Sequence, residues 1–223
     1  MVAENKSWHS SLKSLPGRSN ISSMPSIPST LRQLAGMTSH PAPLAESVLI
    51  IVDAQKEYTE GILPLVGIDP SIDALARFLM RAREARIPIF HVVQMGKPGG
   101  KICDPQRRFV AIIDKVRPAA GETVIEKHFP NSFAQTSLET ELSKTNRKDL
   151  VIAGYMTHMC LSSTVRAAAE ADYRCVVAAD LTATRDLPNG KGGVMDAATI
   201  KAAHLAALAD RFAIVVEKSG DIR

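Results

Sequence analysis

Residues 149–171 read DLVIAGYMTHMCLSSTVRAAAEA. The first seven, DLVIAGY, form an apolar run of strand length. From Thr157 the chain turns to THMCLSSTVRAAAEA, which reads as a helix. A strand feeding directly into a helix is the repeating unit of a parallel sheet. The alternation continues outward from this junction. SVLIIV (47–52) is a continuous run rich in β-branched residues, as a strand buried on both faces requires. DPSIDALARFLMRAREAR (69–86) has apolar residues at 72, 75, 76, 79 and 80, which is helical spacing, with Asp69 placed to cap it and Pro70 in its first turn. PIFHVV (88–93) and TVIE (123–126) read as strands, and NSFAQTSLETELSK (131–144) as a helix. Downstream, RCVVAAD (174–180) is a strand, MDAATIKAAHLAALAD (195–210) a helix and FAIVV (212–216) a sixth strand. The predicted class is α/β, with a mostly parallel sheet covered on both faces. Segments 94–122 and 183–194 interrupt the rhythm with Gly and Pro, and such excursions form lids or site walls.

The 223 residues suit one domain, over 46–223, behind a tail at 1–45. Residues 1–30 hold nine Ser and three Pro with few apolar residues, so a flexible tail is expected. LRQLAG (31–36) reads as a short ordered turn leading into the body. The tail has no continuous apolar core of a secretory signal, while its Ser-rich, basic composition leaves organelle targeting open and Glu4 opposes it. Apolar runs such as VLIIV are too short to span a bilayer, so no membrane partner is expected. The net charge is +4, no Lys/Arg block occurs and aromatics are 4%, which speaks against nucleic acid as a partner. Three cysteines, Cys103, Cys160 and Cys175, make an odd set without paired spacing, and a reducing, cytoplasmic compartment is expected. His158 and Cys160 are the only close Cys/His pair, too few for a structural zinc site.

Open parallel sheets bind ligands beyond the carboxyl ends of their strands. The first polar residues there are Asp53 after strand one, Lys127 after strand three and Cys160 in the first turn after strand four. A helix start and a nearby Lys both favour thiolate, so Cys160 is a candidate nucleophile. The alternative is an inert buried thiol, since free Cys is among the most buried residue types. Asp53 is either a proton carrier for that thiol or an acid capping a loop, and Lys127 either its cation or a solvated charge. Cys175 lies in a strand-like run and reads as core, while Cys103 in the lid segment reads as a surface residue. A Cys–His mechanism would draw on His128 or His158, whereas His91 lies inside a strand. Arg107, Arg108 and Arg185 are either solvated or placed to meet a substrate carboxylate.

VDAQKEY (52–58), EKHFPNSFAQTSLETEL (126–142), GYMTHMCLSSTVRAA (154–168) and ADLTATRD (179–186) together resemble the isochorismatase-like cysteine hydrolase superfamily, in order from about 47 to 216. The resemblance implies a three-layer αβα open sheet, Rossmann-like, with six parallel strands in the order 3-2-1-4-5-6. It implies an Asp53–Lys127–Cys160 triad in which the thiol attacks a C–N carbonyl. It implies a cis peptide between Tyr155 and Met156, with the Met156 and Cys160 N–H groups as oxyanion hole. Gln55, Tyr58, His128, Phe133, His158 and Arg185 are the matching pocket candidates. Nicotinamidases of the superfamily carry an Asp-x-His…His metal site after the second strand. IFHVVQMGKPGG (89–100) lacks that spacing, so neither a metal nor another cofactor is expected. Family members are dimers or tetramers, which makes a homo-oligomer the expected assembly around a small-molecule substrate. Vinyl-ether hydrolysis of isochorismate by Asp53 acid catalysis and a catalytically silent binding protein are the alternatives.

Overall fold

The computed structural model describes residues 27–223. Six strands form one parallel sheet: β1 Ser47–Val52, β2 Ile89–Gln94, β3 Thr123–Lys127, β4 Asp149–Gly154, β5 Arg174–Ala178 and, after a small two-stranded arm of β6 Leu187–Pro188 and β7 Val194–Met195, β8 Ala213–Val216. The order is β3-β2-β1-β4-β5-β8, so the expected 3-2-1-4-5-6 arrangement holds, with β8 as the sixth strand. β1 and β4 lie side by side at the sheet centre, where the order reverses, and every residue of both strands is buried.

Alternation along β1 sorts the core into two layers. Leu49 and Ile51 face α2 Ile68–Glu84, whose Leu75, Phe78 and Leu79 are almost wholly buried. Val48, Ile50 and Val52 face the opposite layer, built by α3 Leu138–Ser143, α4 Ser162–Glu170 and α5 Ala197–Arg211. Both sheet faces are therefore covered, which is why the central strands read as unbroken apolar runs.

The predicted helix over 131–144 is shorter than expected, because 131–137 forms turns. Asn131 Oδ1 accepts the Phe133 N–H, and Thr136 Oγ1 donates to the Ser132 carbonyl. Short polar side chains here take the backbone partners that a helix would use. The 94–122 excursion crosses the carboxyl edge of the sheet and bridges back to it through Gln55 and Ile112. The 31–36 turn forms a short helix, α1 Leu31–Leu34, capped by Thr30 and tied to the body where the Leu31 N–H meets Asp210 Oδ1 at 2.9 Å. Residues 1–26 of the expected flexible tail lie outside the described residues.

Candidate active site

Three neighbouring strands deliver the site. β1 ends at Val52, and Asp53 follows with φ 50°, its N–H tied to the Val92 carbonyl of β2 at 2.8 Å. This left-handed backbone turns the carboxylate back over the strand ends. Lys127 closes β3 opposite Gln94 of β2. Cys160 sits in a π-helical turn, Thr157–Leu161, between β4 and α4. The expected plain helical turn is thus widened by one residue, a distortion common at functional sites.

The turn is braced from behind. Gly154, the last residue of β4, has φ 111°, and a Cβ there would lie 2.0 Å from the Val52 carbonyl oxygen. Only glycine allows β1 and β4 to close at this point. The Tyr155–Met156 peptide is cis. Thr157 donates its N–H to the Ala183 carbonyl at 3.0 Å, and its hydroxyl meets that of Thr182 at 2.8 Å. The DLTAT stretch is therefore the clamp that holds the cysteine turn.

Asp53 and Lys127 are fully buried, and Nζ lies 2.8 Å from Asp53 Oδ2. The contact is an ion pair by distance, but its angle is not that of a hydrogen bond, and neither Asp53 oxygen has an aligned donor. The aligned bonds of Lys127 go to Gln94 Oε1 at 2.7 Å and to the Phe129 carbonyl at 3.1 Å. Burial raises the Asp53 carboxyl above its ordinary range, against the pull of Lys127. Cys160 lies against both groups and is 5% exposed. Burial, and then the Asp53 charge, push its thiol up, against the lowering that Lys127 exerts. Among the described residues, neither the Met156 nor the Cys160 N–H finds an acceptor outside its own turn.

The structure brings Asp53, Lys127 and Cys160 together and sorts the other candidates around them. Tyr58 is buried beside them, edge-on to Tyr155 with ring centroids 6.2 Å apart, and its phenol is pushed up by burial and by the Asp53 and Cys160 charges. Gln55 is a strut rather than a pocket group, because both ends of its amide are bonded to backbone of Gln94 and Val110. The His128 ring is turned onto the Met95 carbonyl at 3.0 Å. Phe133 packs on Tyr173. His158 bonds Thr184 and stacks edge-on against His204, so its ring serves the clamp, not the thiol. Exposed Arg107 pairs with buried Asp104 and exposed Arg108 with Glu60, whereas Arg185 Nε is buried without a partner.

Cys175 is core, as expected. Cys103 is not a surface residue: it is 1% exposed, its N–H donates to buried Glu57 Oε2 at 3.0 Å, and burial pushes its thiol up to about 12. Glu57 and Cys103 are 46 residues apart, so local composition carried no sign of this bond. Gln94 was also missed, although it is the first polar residue at the end of β2 and the rule that selected Asp53 and Lys127 selects it too.

An open parallel sheet with thiol, carboxylate and ammonium gathered at its carboxyl edge defines an α/β enzyme. Residues 47–219 match the Isochorismatase domain, and the chain belongs to the isochorismatase family of hydrolases. It is 37% identical to a secreted isochorismatase effector of Verticillium dahliae, over 84% of this chain and 96% of that protein. A ureidoacrylate amidohydrolase of Methylorubrum extorquens is 27% identical, over 75% of this chain and 88% of that one. The crystal structure of an isochorismatase from Pseudomonas putida superposes with a TM-score of 0.83 at 42% identity, covering 87% of this chain and 99% of that one.

Proposed function

We propose that this hydrolase is a metal-independent cysteine enzyme that cleaves an amide or carbamoyl C–N bond of a small molecule through a thioester. The observation that carries the reading is a buried thiol beside a carboxylate whose two oxygens have no aligned donor. A raised carboxyl is a matched proton acceptor for a raised thiol. Cys160 Sγ attacks the carbonyl carbon while Asp53 takes the thiol proton. The Met156 and Cys160 N–H groups receive the oxyanion. As the C–N bond breaks, Asp53 returns the proton to the leaving nitrogen. Water then attacks the thioester, Asp53 accepts its proton, and the thiol is restored as the acid leaves. Lys127 supplies fixed positive charge throughout. The amidohydrolase relative supports this bond class, and the missing Asp-x-His after β2 supports metal independence.

The test is turnover on a panel of small amides and N-carbamoyl compounds. Cys160→Ala is expected to remove all activity, and Asp53→Asn nearly all, with the circular dichroism spectrum unchanged. Full activity in Cys160→Ala overturns the reading.

A second reading is hydrolysis of the vinyl ether of isochorismate with Asp53 as acid. It is favoured by the burial that keeps Asp53 protonated to higher pH, and by the isochorismatase names of two relatives. Activity on isochorismate that survives Cys160→Ala and is lost in Asp53→Asn decides for it. A homo-oligomer and a reducing, cytoplasmic setting complete the proposal, the latter suited to three free thiols. Light scattering and cell fractionation test these, and the Verticillium relative is itself called secreted.

A further inference from the structure

We propose that Gln94, locked by Gln55, is a positioning residue that keeps Asp53 available as a base by drawing hydrogen-bond donors away from it. The inference rests on the reading of Asp53 as the proton carrier. An Asp–Lys pair at 2.8 Å would ordinarily share a well-aligned proton, which stabilises the carboxylate and weakens it as a base. Here that alignment is missing. One Lys127 N–H is directed to Gln94 Oε1 at 2.7 Å and another to the Phe129 carbonyl at 3.1 Å.

A second donor is intercepted in the same way. The Gln94 N–H lies close enough to Asp53 to act on its carboxylate, yet it donates to Gln55 Oε1 at 2.9 Å. Gln55 Nε2 in turn holds the Gln94 carbonyl at 3.0 Å and the Val110 carbonyl at 2.8 Å. Gln55 is fully buried, so its orientation is set by these three bonds. The two glutamines thus form a chain that ends on Lys127. Two of the three ammonium protons are thus committed to Gln94 and Phe129, which leaves one to serve Asp53 across the 2.8 Å ion pair, and neither Asp53 oxygen has an aligned donor.

The groups that face Asp53 are Lys127 and Cys160, with Tyr58, Cys103 and Glu57 beside them. Removing the Gln94 amide leaves a second buried Lys127 N–H in need of an acceptor, and Asp53, 2.8 Å from Nζ, has no aligned donor. Asp53 would then be more acidic.

The experiment is a 13C NMR titration of Asp carboxyl carbons in the full chain, with the Asp53 signal identified by its loss in Asp53→Asn. Gln94→Leu is expected to lower the Asp53 midpoint by about one pH unit. Gln94→Glu, which adds a competing negative charge, is expected to raise it. Gln55→Leu, which frees the Gln94 N–H, is expected to lower it. A Gln94→Leu midpoint that is unchanged or higher overturns the proposal, because a purely structural glutamine would leave a drier site and a higher value. If Gln94→Leu does not fold, Gln94→Met, closer in length, takes its place under the same criterion. Activity that survives Asp53→Asn would instead defeat the function reading, whatever the Gln94 variants do.

Discussion

Gly154 and Lys127 show how much single positions carry. Gly154→Ala would set a methyl 2.0 Å from the Val52 carbonyl oxygen in a backbone region that L-residues avoid. β1 and β4 would be forced apart beneath the cysteine turn. The expected loss is on the order of 3 kcal/mol or more in urea unfolding, with hydrolase activity lost even where the fold survives. Lys127→Met removes the only cation in contact with a fully buried carboxylate among the described residues. Asp53 would then hold its proton to higher pH, since burial would act without the cation that most opposes it. The acid limb of the hydrolysis profile should therefore move upward in Lys127→Met, the opposite direction from that expected for Gln94→Leu. Comparison of the two profiles on one substrate checks this sign.

Elements are joined by polar ties that differ in their response to pH. Glu122, just before β3, accepts from Arg83 Nε at 2.7 Å, from the Ala119 N–H at 2.9 Å, and meets His91 Nε2 at 2.9 Å. Burial acts to raise its carboxyl, but these donors outweigh burial and hold it at about 2, below the ordinary 4.5. A carboxyl lowered on folding stabilises the native state above its unfolded value, and that stability is lost as pH falls toward the folded one. Glu122→Gln should therefore be less stable than the parent at pH 7, and the difference should shrink between pH 4.5 and about 2. Urea midpoints across that range test it. The clamp on the cysteine turn gives a second case. Thr157→Val leaves the Thr182 hydroxyl buried without its partner, at a cost of about 1–3 kcal/mol.

These ties also mark the limit of what the sequence displayed. The strands and long helices were legible because burial on one or both faces writes a period into the residues. SVLIIV and DLVIAGY needed no partner to be recognised. Asp53, Lys127 and Cys160 were legible because strand ends are where such sheets gather chemistry. The turns of 131–137, the β6–β7 arm, the Glu57–Cys103 bond and the Gln55–Gln94 chain were not. The turns are set by side-chain bonds to backbone two to four residues away, the arm by backbone pairing of Leu187–Pro188 with Val194–Met195, and the other two by bonds 46 and 39 residues apart; none of these writes a period into the residues. The upward push on the Cys160 thiol was hidden for a related reason. Helix start and lysine were visible in the string, whereas the burial that outweighs them is a property of the folded chain.

At the scale of the whole molecule, the described N-terminal segment divides at Leu44. Leu44 is buried in the core beside α2, and its N–H meets the Arg223 carbonyl of the last residue. Residues 31–38 are held more lightly, through Asp210 and through Arg211, whose Nη1 reaches Met37 Sδ at 3.2 Å. Deleting residues 1–40 should lower the melting temperature only slightly, whereas deletion through 46 should lower it markedly; calorimetry on both variants distinguishes them. The sheet also determines when the cysteine is dangerous. An unfolded chain presents Cys160 as an ordinary thiol near 8.5 that any electrophile or peroxide can reach. Folding raises that thiol and covers it. The idle enzyme is thus chemically quieter than its own unfolded chain, and on the proposed mechanism the sulfur's reactivity is released only as it attacks a bound carbonyl and its proton passes to Asp53.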